Sequence, residues 1–294
     1  MDRKIGEPLL RKMEQGDLQT VLDLINKEGW DYHISEMHRI LAVDPDNSIV
    51  VSVDGTIVGA ITVSVFGKRG ILGHVIVREG WRSKGIGRMM MDHLQDRLDS
   101  MGVLTMEASA LKAALPFYRR HGYHIVEEVD TYDKTLAERD LNRFTASPKI
   151  KSIGVKDLDV IDRLDNDVTG FQRRRFLELV MREFPDHQKG IFEGGELIGF
   201  IFGRENPVMD DIGPWVMKDP NIDDASLLFD SLIAEFKVGA RALGGVSANN
   251  AIVKSVFLGR EYNFYIKQYR VMRSKGVAEP FRPGMMALGA FEFG

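Results

Sequence analysis

The segment Arg82-Ser83-Lys84-Gly85-Ile86-Gly87-Arg88 sets three cations and two glycines shortly after an apolar, β-rich run that ends at Val77. Glycines let a backbone approach a ligand closely. A helix that starts here presents unpaired N–H groups and a partial positive charge, which suits a pyrophosphate. The pattern is not one of the common phosphate loops. Met90 stands where the dinucleotide fingerprint G-x-G-x-x-G needs its third glycine, and the Gly-Lys-Ser/Thr ending of the Walker loop is missing. Two readings stand open locally: a phosphate loop of another kind, or a strand-to-helix turn with a solvated basic rim.

Other chemistries are narrowed by what the chain lacks. It has no cysteine, which removes disulfides, thiolate metal sites and a cysteine nucleophile. Its seven histidines form no HExxH pattern, so no metal is expected. Net charge is −4 and neither half is basic, which argues against nucleic acid as a partner. No stretch approaches the ~18 apolar residues of a membrane span, and the charged start lacks the apolar core of a signal peptide. These features together suggest a cytoplasmic protein with no membrane partner.

The elements around the loop follow from periodicity and turn signals. Leu9–Met13 reads as a strand. Asp17 starts a helix whose Leu18, Val21, Leu22 and Ile25 share one face. A second helix covers Ile34–Ala42. Ser48–Val53 and Thr56–Phe66 form a hairpin about Asp54-Gly55. Ile71–Val77 is a strand, the helix after the loop runs to Ser100, Val103–Ala108 is a strand, Ala113–His121 a helix, and His124–Val129 a closing strand. The order mixes a meander with βαβ crossovers, so the class is α+β or mixed α/β. The plan then repeats at an offset of about 140: Asp17-Leu18 recurs as Asp157-Leu158, and the hairpin segment 54–61 recurs as 194–201. The linker is Ala146-Ser147-Pro148, giving units 1–146 and 147–294. The tail after Ser274 is not placed by pattern.

With Pro116-Phe117-Tyr118-Arg119-Arg120-His121-Gly122-Tyr123 set beside Arg82-x-x-Gly85-x-Gly87, the first unit resembles the GNAT superfamily of acetyl-CoA-dependent N-acetyltransferases. The second resembles the divergent GNAT-like domain of tandem members, through Thr169–Arg173, Gly203-Arg204 and Ile212-Gly213-Pro214. The resemblance implies two tandem domains, each a mixed, mostly antiparallel sheet flanked by helices. It implies that the strands before and after the loop helix splay, that backbone at Ile76 and Val77 holds the pantetheine arm, and that Arg82, Ser83, Lys84, Gly85, Ile86, Gly87 and Arg88 hold the pyrophosphate of acetyl-CoA.

It further implies that Tyr118 is the general acid for the departing thiolate, as a phenol protonated at neutral pH. For the base, His74 and Glu107 are candidates beside a water relay. Unbroken strand alternation points His74 to the opposite face unless a bulge re-aims it. Trp30, Asp31 and Tyr32 fall where the family lines its acceptor site, and Arg173 and Arg204 are candidates to grip an acceptor carboxylate. In the second copy the loop becomes Ile222-Asp223-Asp224-Ala225-Ser226-Leu227 and Tyr118 becomes Phe257. That copy is expected neither to bind the cofactor nor to catalyse, which leaves it the acceptor pocket or a homodimer interface. The expected activity is acetyl transfer to a small-molecule amine by direct attack. The alternatives are a non-catalytic acyl-CoA-binding module or a protein or peptide N-acetyltransferase.

Overall fold

The computed structural model describes residues 6–276, 282–290 and 293; the rest of the tail after Ser274, over which the sequence was silent, lies outside the described residues. The first half runs β1 (Leu9–Lys12), α1 (Leu18–Asn26), α2 (Ile34–Val43), β2 (Ile49–Val53), β3 (Thr56–Ile61), β4 (Val63–Phe66), β5 (Arg69–Leu72), β6 (Ile76–Val77), α3 (Ile86–Ser100), β7 (Thr105–Ala110), α4 (Leu115–Arg120), β8 (His124–Thr135) and α5 (Glu138–Leu141). The second half runs β9 (Ile150–Ser152), α6 (Leu158–Thr169), α7 (Arg174–Glu183), β10 (Gln188–Glu193), β11 (Glu196–Arg204), β12 (Asp210–Met217), α8 (Ile222–Ile233), β13 (Arg241–Ser247), α9 (Ala251–Leu258), β14 (Asn263–Ser274) and β15 (Met285–Ala287). The class is mixed α/β with large, mostly antiparallel sheets.

The repeat is built by the same local devices twice. Asp17 and Asp157 each accept a backbone N–H from three residues earlier, Glu14 at 2.8 Å and Gly154 at 2.9 Å, and so turn the chain into α1 and α6. Asp54-Gly55 and Gly194-Gly195 all have positive φ, the backbone that a two-residue hairpin turn demands. The apolar face expected of α1 is buried, and Trp215, Phe200 and Phe202 are wholly interior, as core residues rather than a ligand stripe.

Two departures from the expected strands position the site. The run expected as one strand over Ile71–Val77 is split. β5 pairs parallel with β7 as far as Leu72 and Ala108, whereas β6 leaves that sheet and pairs only with β3, through Gly59–Val77 and Ala60–Ile76. A wedge opens between β6 and β7, with Gly73, His74 and Val75, which belong to neither strand, at its apex. The closing strands are also longer than periodicity indicates, and they interlock. β14 lies between β7 and β8, and β8 lies between β14 and β13. Each half therefore completes the sheet of the other, although the chain passes between them at Ser147.

A ladder of alternating charges crosses this junction. Glu107 on β7 accepts from Arg69 on β5 at 3.1 Å and from Arg270 on β14 at 2.8 Å, and Arg270 also reaches Glu127 on β8 at 3.1 Å. All four are buried. Glu107, a sequence candidate for the base, is thus a structural counter-ion that lies outside the cleft described below. Glu107→Gln is expected to cost about 3 kcal/mol, the usual penalty for stripping one partner from a buried pair. A denaturant midpoint checks this, and the transfer rate per folded molecule should stay unchanged.

In the second half the corresponding wedge is filled. β12 pairs with β13 only at Asp210 and Asp211, and beyond them β15 pairs with β12 through Trp215–Ala287 and Val216–Met285. The Leu288 N–H then donates to the Gly245 carbonyl at 3.0 Å. The tail strand plugs the slot that the first half leaves open.

Candidate active site

α3 starts abruptly because Ser83 and Gly85 have φ of 61° and 85°, and Gly85 is its N-cap. The first intrahelical bond runs from the Met89 N–H to the Gly85 carbonyl, so the N–H groups of Ile86, Gly87 and Arg88 have no helical acceptor. A Cβ on Gly87 would meet the Phe117 ring at 3.1 Å, so glycine is what lets this end of α3 sit against α4. Arg82 is anchored by Glu28 and by the Val77 carbonyl at 3.0 Å. The Lys84 ammonium lies 5.0 Å from the Trp81 ring centre, outside the cleft.

From this helix start a cleft of about 1180 Å³ runs into the wedge. Ile76, Val77, Arg82, Ser83, Gly85, Gly87 and Arg88 line it; the side chain of Ile86 is in the core instead. Trp30, Asp31, Tyr32, His74 and Tyr118 also line it, and the second half contributes Arg204. The volume exceeds that of most single-ligand pockets, leaving room for two reactants side by side. Tyr118 is buried, and burial first, then the neighbouring Tyr123, push its phenol above its ordinary range, so it is a proton donor throughout neutral pH. Among the described residues no group hydrogen-bonds its hydroxyl.

His74 occupies the break between β5 and β6, which voids the alternation argument and turns it into the cleft. It is 2 % exposed. Thr62 Oγ1 accepts its backbone N–H at 2.9 Å and lies 3.0 Å from its Nδ1. With the ring proton on Nδ1, Oγ1 accepts both, and Nε2 is left buried with no partner among the described residues. The Tyr32 ring stands edge-on at 4.2 Å and Trp30 lies at 6.2 Å. Burial lowers the His74 pKa to about 3. The unfolded imidazole titrates near 6.5, so on acidification the unfolded chain takes up this proton first, and stability is full above that value and lost towards pH 3. Between pH 7 and about 4.5 this residue should cost roughly 2–3 kcal/mol. Urea midpoints at the two pH values, compared between wild type and His74→Gln, measure it.

Arg173 does not reach the site. It is fully buried in a two-pronged pair with Asp165, at 2.8 and 2.9 Å, which ties the start of α7 to α6. Arg204 does reach it, but its guanidinium is held by Asp211 at 3.0 Å and by the Gly213 carbonyl at 2.7 Å. Sequence reasoning missed Glu36, Thr131, Asn206, Asp211 and Gln268, which also line the cleft. One signal was available for Glu36: it sits one turn before Ile40, on the apolar face of α2.

Comparison with known proteins agrees with this geometry. Residues 18–123 match the Acetyltransferase (GNAT) family. The uncharacterized N-acetyltransferase YitH of Bacillus subtilis (strain 168) is 24% identical over 226 residues, covering 76% of this chain and 78% of that one. Among solved structures, a Pyrococcus horikoshii protein grouped with the acetyltransferases superposes with a TM-score of 0.79 at 17% identity, over 98% of this chain and 96% of that one. A tandem GNAT protein from the clavulanic acid biosynthesis pathway gives a TM-score of 0.65 at 17% identity, over 93% and 100% of the two chains. No helix among the described residues is long and apolar enough to cross a membrane. The loop, the wedge and these likenesses converge: the chain carries a GNAT acetyltransferase domain and is an acyltransferase with the tandem GNAT fold.

Proposed function

We propose that the protein transfers the acetyl group of acetyl-CoA to the amine of a small-molecule acceptor by direct attack. The observation that carries this reading is the continuity of one cleft, from the helix start at Gly85, through the wedge beside β6, to a deep end to which the second half contributes. The fit of the donor is supported by its partners. The free N–H groups of Ile86, Gly87 and Arg88 suit a pyrophosphate, and the unpaired edge of β6 at Ile76 and Val77 suits the amides of a pantetheine arm.

In this reading the acceptor nitrogen forms a bond to the acetyl carbon, the carbon–sulfur bond breaks, and Tyr118 donates its proton to the leaving sulfur. His74 accepts a hydrogen bond from the amine through Nε2 and orients its lone pair. With a pKa near 3 it does not store the proton, which passes to water. The lining that the second half adds through Arg204 and Asp211 supports a small acceptor over a peptide. Incubation with acetyl-CoA and a panel of small amines and peptides, read by mass spectrometry, tests the reading. Acetylated small amines with stoichiometric CoA release are expected. Transfer confined to peptides, or none to any amine, overturns it.

A further inference from the structure

The deep end of the cleft offers hydrogen-bond acceptors in excess of donors. Glu36, from the first turn of α2, is 8 % exposed. It accepts from the His33 N–H at 2.6 Å, and it makes no ion pair among the described residues. Among the described residues, the cations Arg39 and Arg204 are committed elsewhere. Arg39 is bound to Glu183 at 2.7 Å and reaches Ser35 at 3.3 Å, acting on Glu36 only at longer range, while Arg204 is held by Asp211 and the Gly213 carbonyl. Burial first, and then the charge of Asp211, push the Glu36 carboxyl above its ordinary range. A buried carboxyl with no paired cation and a second acidic group acting on it is costly unless something positive joins it.

A second set of atoms points the same way. Thr131 Oγ1, on a residue with no exposed surface, His74 Nε2 and Gln268 Oε1 are buried without partners, and their residues line this cleft. Thr131 on β8 pairs with Ile266, and Gln268 lies two residues further along β14, so the two share a face of the interlocked strands as diagonal neighbours. Oxygen and nitrogen lone pairs without donors call for a ligand that brings N–H groups and positive charge.

We propose, resting on the transfer reading above, that the acceptor is an amine with a second cationic group: the reacting nitrogen meets His74, the distal cation is held by Glu36 and Asp211, and Thr131 and Gln268 take hydrogen bonds between them. The second half thereby reads the substrate although it has lost the cofactor loop.

Calorimetric titration of 1,4-diaminobutane and of 1-aminobutane into the full-length protein saturated with CoA tests this in wild type and Glu36→Gln, whose side chain can still accept the His33 N–H. Wild type should bind the diamine at least about ten-fold more tightly, as a charge-assisted contact requires, and the variant should lose that preference. No preference in wild type, binding of neither amine, or a diamine preference that survives in the variant overturns the proposal. Failure of the transfer reading shows separately: the diamine preference stands, but mass spectrometry finds no acetylated product.

Discussion

Tyr118→Phe should lower kcat for acetyl transfer by about 10²–10⁴-fold, the range that general acid catalysis supplies, with little change in the KM for acetyl-CoA. The substitution deletes one oxygen from a buried ring whose hydroxyl has no hydrogen-bond partner among the described residues, so stability should move by less than about 1 kcal/mol. The pH profile gives the sharper reading. Burial and Tyr123 raise the phenol above its ordinary value near 10, so the wild-type rate should not fall where an exposed tyrosine would ionise. Pre-steady-state kinetics at pH 7–10 check both points. A variant within three-fold of wild type would mean that water protonates the thiolate.

Gly85→Asp should abolish acetyl-CoA binding, at least about 100-fold by calorimetry, and reduce one site per chain to none. Two effects combine. The residue sits at φ 85°, where a side chain costs roughly 1–2 kcal/mol of backbone strain. Nothing lies within 4 Å of the new Cβ, so the fold survives. The added carboxylate also caps the free N–H groups of α3 and repels the pyrophosphate. The second half already shows this condition. At the start of α8, Asn221 accepts the Asp224 N–H at 2.9 Å, and Asp224 pairs with Lys149 at 3.0 Å. Adding the repeat offset to His74 lands on Pro214, and β15 fills the wedge. One residual site in the variant would place cofactor binding elsewhere.

The repeat, the hairpin turns and the loop were legible because each is set by neighbours in sequence. A φ-positive pair such as Asp54-Gly55 announces itself wherever it occurs. What was not legible depends on partners far along the chain. Ile71–Val77 has one continuous β-rich pattern, yet its two ends pair with different strands, and only that divergence turns His74 towards the cleft. Periodicity ends β8 at Val129, whereas residues 130–135 are held by β13, more than a hundred positions away. Glu107 and Arg173 look like site residues by type. Their burial in ion pairs with Arg270 and Asp165 is a property of packing, which composition does not carry. Glu36 was the reverse case, a carboxylate hidden in an apolar register.

The interlocked closing strands bear on how this chain can change over time. A gene fragment that ended between the halves would encode a first unit with an empty lane between β7 and β8, two strand edges bare and the Arg270 counter-ion gone. Excising the second copy therefore removes part of the scaffold of the first. The copy without a cofactor loop is bound to its twin as one half of a clasp is to the other. Its sequence is free to drift in chemistry but not in backbone course, and the pair is inherited, folded and lost together.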